Sequence, residues 1–318
     1  MCAYAPTVED VQRAAVRLAG LVHRTPVLTS RTLDRDVGAA VFCKCENLQK
    51  VGAFKARGAT NAVMALDEAA AARGVVTHSS GNHGAALAFA AALRGIPVVV
   101  VMPDEAPAVK VAAVRGYGAE VVLCPRAQRD RVASRLVEER GMVLIHPFDD
   151  PEVIAGQGTA ALELLQDVPA LDDVVAPVGG GGLLAGTTLV VRHSRPECRV
   201  VGAEPEAVDD AYRSLRDGVR HPAVEAPVTV ADGLMTGLGE RTFAILTRGA
   251  VEIVTVTETA ILEAARFCLE RMKIVVEPSA AAGLAALRQR PDRFAGRRVG
   301  VILTGGNTDF AWLGRPKG

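Results

Sequence analysis

The chain has 318 residues, and its 36 Lys+Arg balance its 36 Asp+Glu, so the formal charge is zero and no long-range field draws in a nucleic acid. Hydrophobic residues make up 49% and aromatics 4%, a balance that suits an α/β protein with helices packed closely on sheet. No apolar run is long enough to span a bilayer, and Glu9, Asp10 and Arg13 interrupt the stretch where a secretion signal would lie; no membrane partner is expected, and the cytoplasm is the expected compartment.

Thr7-Val8-Glu9-Asp10 has the spacing of a capping box and predicts a helix running to about residue 21. The chain is expected to be extended around Pro26, with a strand over 41–46 and an alanine-rich helix over 56–72. Strand and helix then alternate, with strands over 75–78, 97–102 and 120–124 and helices over 84–94, 106–117 and 129–140. Beyond Pro147 the pattern resumes: strands over 174–177, 200–203 and 299–304, helices over 156–165, 259–272 and 280–289, and an irregular stretch over 205–221. Such alternation predicts right-handed crossovers and parallel sheet, in two interleaved α/β domains. The six cysteines (Cys2, Cys43, Cys45, Cys124, Cys198 and Cys268) contain no C-x-x-C pair and read as reduced, buried thiols, with Cys43 and Cys45 on one strand face.

Five segments carry residue types suited to chemistry. In Gly52-Ala53-Phe54-Lys55-Ala56-Arg57-Gly58-Ala59 a lysine sits among small residues at a loop-to-helix junction; it is either an ordinary solvated lysine or, if desolvated, a nucleophile and base. Ser79-Ser80-Gly81-Asn82-His83-Gly84 opens a helix after a strand, where backbone amides favour an anion such as a substrate carboxylate, although a capped turn explains part of the run. Gly179-Gly180-Gly181-Gly182-Leu183 again joins strand to helix, and its bare backbone can converge on a phosphate; it follows neither the Walker nor the dinucleotide pattern, and a flexible loop is the alternative. Thr304, in Leu303-Thr304-Gly305-Gly306-Asn307, ends an apolar strand where ligands bind in parallel sheets, or simply starts a turn. In Glu204-Pro205-Glu206-Ala207-Val208-Asp209-Asp210 the carboxylates and a carbonyl could hold a hard cation, but spacing alone favours a solvated acidic loop.

Taken together and in this order, the segments resemble the fold type II pyridoxal-phosphate enzymes, in the branch of serine/threonine dehydratases and serine racemases, over about Val8 to Asp309. The resemblance implies two interleaved parallel-sheet domains with the cofactor in the cleft between them: residues 1–66 with 150–318 as the large cofactor-binding domain, and 67–149 as a small, mobile substrate-binding domain. It implies that Lys55 forms the Schiff base with pyridoxal 5'-phosphate, that Phe54 and Gly233 lie against the ring, and that Thr304 faces the pyridine nitrogen. Gly179, Gly180, Gly181, Gly182 and Leu183 would hold the phosphate. Ser79, Ser80, Gly81, Asn82 and His83 would receive the substrate carboxylate, with Asn82 also near the ring hydroxyl and Ser80 as an acid/base opposite Lys55. It turns the acidic loop into an expected Mg²⁺ (or other divalent cation) site of Glu204, the Val208 carbonyl and Asp210, and makes Arg129 a substrate-facing arginine. A homodimer is expected by the same analogy.

The implied activity is dehydration of a β-hydroxy amino acid such as L-threonine or L-serine to a 2-keto acid and ammonia. The alternatives are a serine or aspartate racemase, a hydroxyaspartate dehydratase and, from another class, a non-catalytic binder of phosphate-bearing ligands. A neutral Thr304 hydroxyl cannot protonate a ring nitrogen as a carboxylic acid would, which favours prompt loss of the β-hydroxyl. Ala53 departs from the serine common before Phe-Lys and leaves the preferred substrate open. So few residues follow Asp309 that no C-terminal regulatory domain, and hence no amino-acid feedback control, is expected.

Overall fold

The computed structural model describes residues 5–79, 81–106 and 108–314. Among the described residues, ten strands form two sheets. The strands are β1 (Val27–Thr29), β2 (Ala40–Cys45), β3 (Val75–His78), β4 (Val98–Pro103), β5 (Glu120–Cys124), β6 (Val143–Leu144), β7 (Asp173–Pro177), β8 (Arg199–Pro205), β9 (Glu252–Val256) and β10 (Arg298–Leu303). The first sheet has the order β1-β2-β10-β7-β8-β9 and the second β5-β4-β3-β6. Every pairing of these strands is parallel except β1 with β2, so the expected α/β architecture is borne out.

Both faces of the first sheet are covered, which is why its strands read as unbroken apolar runs. Along β10, Val299, Val301 and Leu303 face the helices Glu258–Phe267 and Pro278–Gln289, whereas Ile302 faces Pro151–Asp167 and Gly182–Ser194. In the second sheet Val75, Val98 and Val100 pack with Asn82–Arg94 and Lys55–Ala65, while Val76, Val99 and Val101 pack against Arg129–Arg140. The thiols of Cys43, Cys45, Cys124, Cys198 and Cys268 are free and buried, and Cys43 and Cys45 lie in one cluster; Cys2 lies outside the described residues.

Local chemistry corrects several expected boundaries. The capping box forms as read, but its helix stops at Leu18. The helix expected over 56–72 is two: Lys55–Ala65, then Glu68–Arg73, because the Asp67 carboxylate accepts from the Ala70 amide and starts a second helix. The stretch expected to be irregular holds the helix Asp210–Asp217, capped from a distance by Glu204 of β8, whose carboxylate accepts from the amides of Ala211 (2.9 Å) and Tyr212 (2.8 Å). The helix over 259–272 ends at Phe267 and continues as a π-turn, Cys268–Met272, closed by Lys273 at φ 61°. The short helices Arg31–Val37 and Glu240–Arg248 and strands β6 and β9 carry too little periodicity to have been read.

One buried cluster of charges ties the helix Lys55–Ala65 to the first sheet and to a helix that covers it. Arg57, in the first turns of Lys55–Ala65, is fully buried, and its guanidinium donates to both carboxylate oxygens of the equally buried Glu46 (2.8 Å each) and to both of Glu163 (2.8 Å each). Glu46 follows β2 directly, and Glu163 belongs to Pro151–Asp167. Lys44 donates to Glu163 (2.7 Å) and Thr25 to Glu46 (2.5 Å), so the charges are paired and their lone pairs used. One residue further on, Gly58 lets the two helices cross: a Cβ there would strike the Gln157 amide and lie 2.7 Å from the Val153 carbonyl, and a Cβ on Gly156 would lie 2.7 Å from Gly58 Cα. Replacing Arg57 by Ala strands the Glu46 carboxylate in the core, an arrangement that costs about 3–5 kcal/mol. We expect Arg57→Ala to lose that much in urea unfolding, and Arg57→Lys, which keeps the charge but not the fork, to lose less.

Candidate active site

The sequence motifs meet because each follows the C-terminal end of a parallel strand. β10 leads to Thr304, β7 to the four glycines, β3 to the serine loop and β2, through two 3₁₀ turns, to Lys55. They line one cleft of about 430 Å³ that includes Phe54, Lys55, Ser79, Gly81, Asn82, His83, Arg129, Gly179, Gly180, Gly181, Gly182, Leu183, Gly233 and Thr304. Ser80 lies outside the described residues. Glu204, Val208 and Asp210 do not line the cleft; Glu204 is near the end of β8, and the other two follow that strand.

Lys55 is pinned from both sides. The Phe54 amide donates to the Thr304 carbonyl (2.9 Å), and Ala53 bridges to Gly305. The Lys55 amine donates to the Pro147 carbonyl (2.7 Å) and lies 5.1 Å from the centroid of the Phe54 ring. Desolvation lowers it to about 8, so the neutral amine is reached at far lower pH than for an exposed lysine.

The glycine run is built for close approach. Gly181 takes φ 86°, a left-handed turn that aims the first amides of Gly182–Ser194 at the cleft. A Cβ on Gly180 would enter the Phe148 ring, and one on Gly182 would lie 2.9 Å from the Phe148 carbonyl. Thr242 fixes the loop by donating its hydroxyl to the Gly180 carbonyl (2.8 Å). A cradle of free amides at a helix N-terminus suits a phosphate.

On the opposite wall the Asn82 amide group donates to both oxygens of Glu277 (2.9 and 3.2 Å) and accepts from Asn307 (2.9 Å), so its orientation is set. Burial pushes the Glu277 carboxyl up to about 7, against the lowering effect of Asn82. The buried His83 places Nε2 3.4 Å from the Ile145 carbonyl, and desolvation holds it well below the usual imidazole range. The Gly233 amide donates to Ser279 (2.9 Å), and a Cβ at Gly233 would meet that hydroxyl at 3.0 Å. Arg129 donates Nε to the Arg126 carbonyl (3.1 Å) while its side chain lines the cleft.

Sequence reading missed Glu277, Ser279, His146 and Phe148, all of which line the cleft or pack against its glycines, and gave His78 no role of its own. The signals were there: His146-Pro147-Phe148-Asp149-Asp150 closes a strand just before a helix, and Glu277-Pro278 opens one. Neither falls into a pattern until the second sheet is in place.

The acidic loop is less solvated than its spacing suggested. Glu204, Val208 and Asp210 are all buried. Desolvation raises Glu204 to about 8 and Asp210 to about 6, and Asp210 Oδ2 has no hydrogen-bond partner. No group of three His, Cys, Asp or Glu side chains that could hold a metal occurs among the described residues. The donor types of the expected set, two carboxylates and a carbonyl, are those a hard cation takes, and the orphaned Asp210 oxygen is what a cation would satisfy.

Comparison with known proteins agrees with this geometry. Residues 18–305 match the model of a family described as pyridoxal-phosphate dependent enzyme. The chain is 50% identical over 305 residues to an L-threo-3-hydroxyaspartate ammonia-lyase from Pseudomonas sp, covering 95% of each chain. The crystal structure of serine racemase from Dictyostelium discoideum matches with a TM-score of 0.91 at 45% identity, covering 96% of this chain and 99% of that one. The crystal structure of a threonine deaminase from T.th. matches with a TM-score of 0.92 at 47% identity, covering 96% and 100%.

Because the Gly180 position abuts the Phe148 ring, Gly180→Ala must push the ring aside or displace the loop. We expect it to weaken cofactor retention at least tenfold on dialysis and to cost about 1–3 kcal/mol in stability, as overpacking does.

Proposed function

This chain belongs to the pyridoxal-phosphate dependent enzymes, and we propose that within that family it is a dehydratase that converts a β-hydroxy amino acid, L-threo-3-hydroxyaspartate before L-serine or L-threonine, to the 2-keto acid and ammonia. The observation that carries the reading is the desolvated Lys55 amine sharing one cleft with the four-glycine cradle. The substrate preference draws on the 50% identity to a lyase named for that compound, and on Arg129 in the cleft, a cation suited to a second carboxylate. A non-catalytic binder has no use for an amine whose pKa burial has lowered to about 8.

Bound pyridoxal phosphate supplies a conjugated ring that delocalises the charge left when the substrate's Cα loses a proton. The protein does the rest. The Lys55 amine, lowered toward neutrality, takes the proton from Cα. The amides of Gly179 to Gly182 and of Leu183 would hold the phosphate, and Phe54 and Gly233, which line the same cleft, would lie against the ring. Asn82, its amide fixed by Glu277 and Asn307, would take the side of the ring hydroxyl. Thr304 would offer the ring nitrogen a hydroxyl rather than an acid, a choice that favours loss of the β-hydroxyl as water once a proton is supplied to it. Ser79, Ser80, Gly81 and His83 complete the carboxylate end, with Ser80 as proton donor on the face away from Lys55; its removal should hurt any racemisation most.

Residues 67–149 carry β3 to β6, and closure of this body over the cleft would exclude water. Glu204, Val208 and Asp210 would hold Mg²⁺, tying β8 to the helix Asp210–Asp217 at a distance from the chemistry. We take the enzyme to be a cytoplasmic homodimer.

A keto-acid release assay over β-hydroxy amino acids of both chiralities tests the activity. We expect the highest kcat/KM with L-threo-3-hydroxyaspartate. Lys55→Ala should abolish both turnover and the visible absorbance of protein-bound cofactor; a Lys55→Ala protein that kept both would refute the assignment. For the cation, Mg²⁺ should raise the Tm of wild type by a few degrees, as binding linkage requires, and should leave Asp210→Asn unmoved.

A further inference from the structure

His146 is held by its own loop in a way that decides which of its nitrogens carries a proton. Nδ1 accepts from the backbone amides of Asp149 (3.0 Å) and Phe148 (3.4 Å), so it carries no hydrogen and the proton of the neutral ring sits on Nε2. Two edge-on ring contacts fix the plane, with centroids 4.6 Å from Phe148 and 5.4 Å from His78. Phe148 is itself seated against Gly180 and Gly182, so the imidazole is braced against the phosphate cradle. Protonation would sacrifice the two amide contacts, and desolvation, with His78 and Lys55 nearby, pushes the group down to about 4.

The other nitrogen donors of the cleft are largely committed. Lys55 donates to Pro147, Lys110 to Asp232 (2.6 Å), and Asn82 to Glu277. His83 faces Ile145. Among the described residues, His146 Nε2 has no hydrogen-bond partner, and of the Arg129 nitrogens only Nε has one. An amino acid with an anionic side chain brings a second carboxylate into a cleft that already receives a phosphate. It needs donors beyond those for its α-carboxylate, or the desolvation of that carboxylate goes uncompensated.

We infer that His146, locked as the neutral Nε2–H tautomer, donates to the side-chain carboxylate of a dicarboxylic β-hydroxy amino acid, beside Arg129, and so sets the preference for that substrate over serine. This rests on the substrate reading proposed above. A fixed neutral donor selects without adding charge: serine has no group to take the bond, whereas the dicarboxylate does.

Two substitutions separate the ring nitrogens. His146→Asn can keep an acceptor near Nδ1 but removes the donor at Nε2; His146→Gln places an amide near Nε2. We expect His146→Asn to lose at least tenfold more kcat/KM on L-threo-3-hydroxyaspartate than on L-serine, mainly through KM, and His146→Gln to recover most of that difference. Inhibition by malate is measured alongside, since malate carries both carboxylates and the hydroxyl but no amine to react; its Ki should rise about tenfold in His146→Asn. Equal losses on both substrates with an unchanged malate Ki, or a glutamine variant no better than the asparagine one, overturn the inference. Should neither variant fold, histidine-selective NMR of the wild-type holoenzyme decides: one imidazole with its proton on Nε2 must shift when malate is added, and no such shift rejects the donor. A wild type that prefers L-serine counts against the substrate reading alone, because the malate measurements still report on His146.

Discussion

The buried Arg57 fork is the constraint on which the rest of the site depends. It lies two positions along the same helical turn from Lys55, so whatever holds the guanidinium holds the amine. Glu46 and Glu163 grip it from the end of a strand of the first sheet and from the helix beneath that sheet. A lone charge in that place would be ruinous; four charged side chains with their hydrogen bonds satisfied make it rigid. The glycine that follows, Gly58, removes the last obstacle to helix contact, so that the lysine emerges at the floor of the cleft rather than on the surface.

Desolvation is the common theme of the cleft's electrostatics. It lowers Lys55, His78, His83 and His146 and raises Glu277, in each case favouring the uncharged form. The signs act oppositely on stability. Each depressed histidine makes the fold more stable as pH rises from its folded value toward the ordinary imidazole range, because the unfolded chain there binds a proton that the fold refuses. Glu277 makes it less stable as pH rises from the ordinary carboxyl range toward about 7, because the fold keeps a proton that the unfolded chain gives up. A site held near neutrality suits a dianionic phosphate and an anionic substrate, since the buried Glu277 favours its uncharged form and Asp232 on the cleft wall is paired with Lys110. It also leaves recognition to oriented dipoles, such as the amides of the glycine loop and the locked imidazole.

The acidic loop works on a different principle. Glu204 is a strand residue that serves as a helix cap seven residues downstream, and the same fold buries Asp210 with one oxygen unpartnered. A cation bound there, as proposed, would have to share the Glu204 carboxylate with the cap it already provides. That link connects the end of β8 to the helix after it without touching the cleft.

The alternation of the longer strands and helices, the parallel pairing and the glycine loop could be read from the chain, because they depend on periodicity and on residues with few backbone alternatives. The family resemblance added the role of Lys55 and the expectation of a cofactor. Local interactions decided the helix breaks at Asp67 and Cys268, and a side chain from β8 decided the helix after Asp209; spacing cannot reveal a cap supplied from so far upstream. Only the tertiary structure brought Glu277 to Asn82, Phe148 to the glycines, and His146 to a tautomer. Residues 195 positions apart, as Asn82 and Glu277 are, leave no local trace of their contact. Chain periodicity determines which face a residue turns inward; which residue it meets there is set by how the two sheets close on each other.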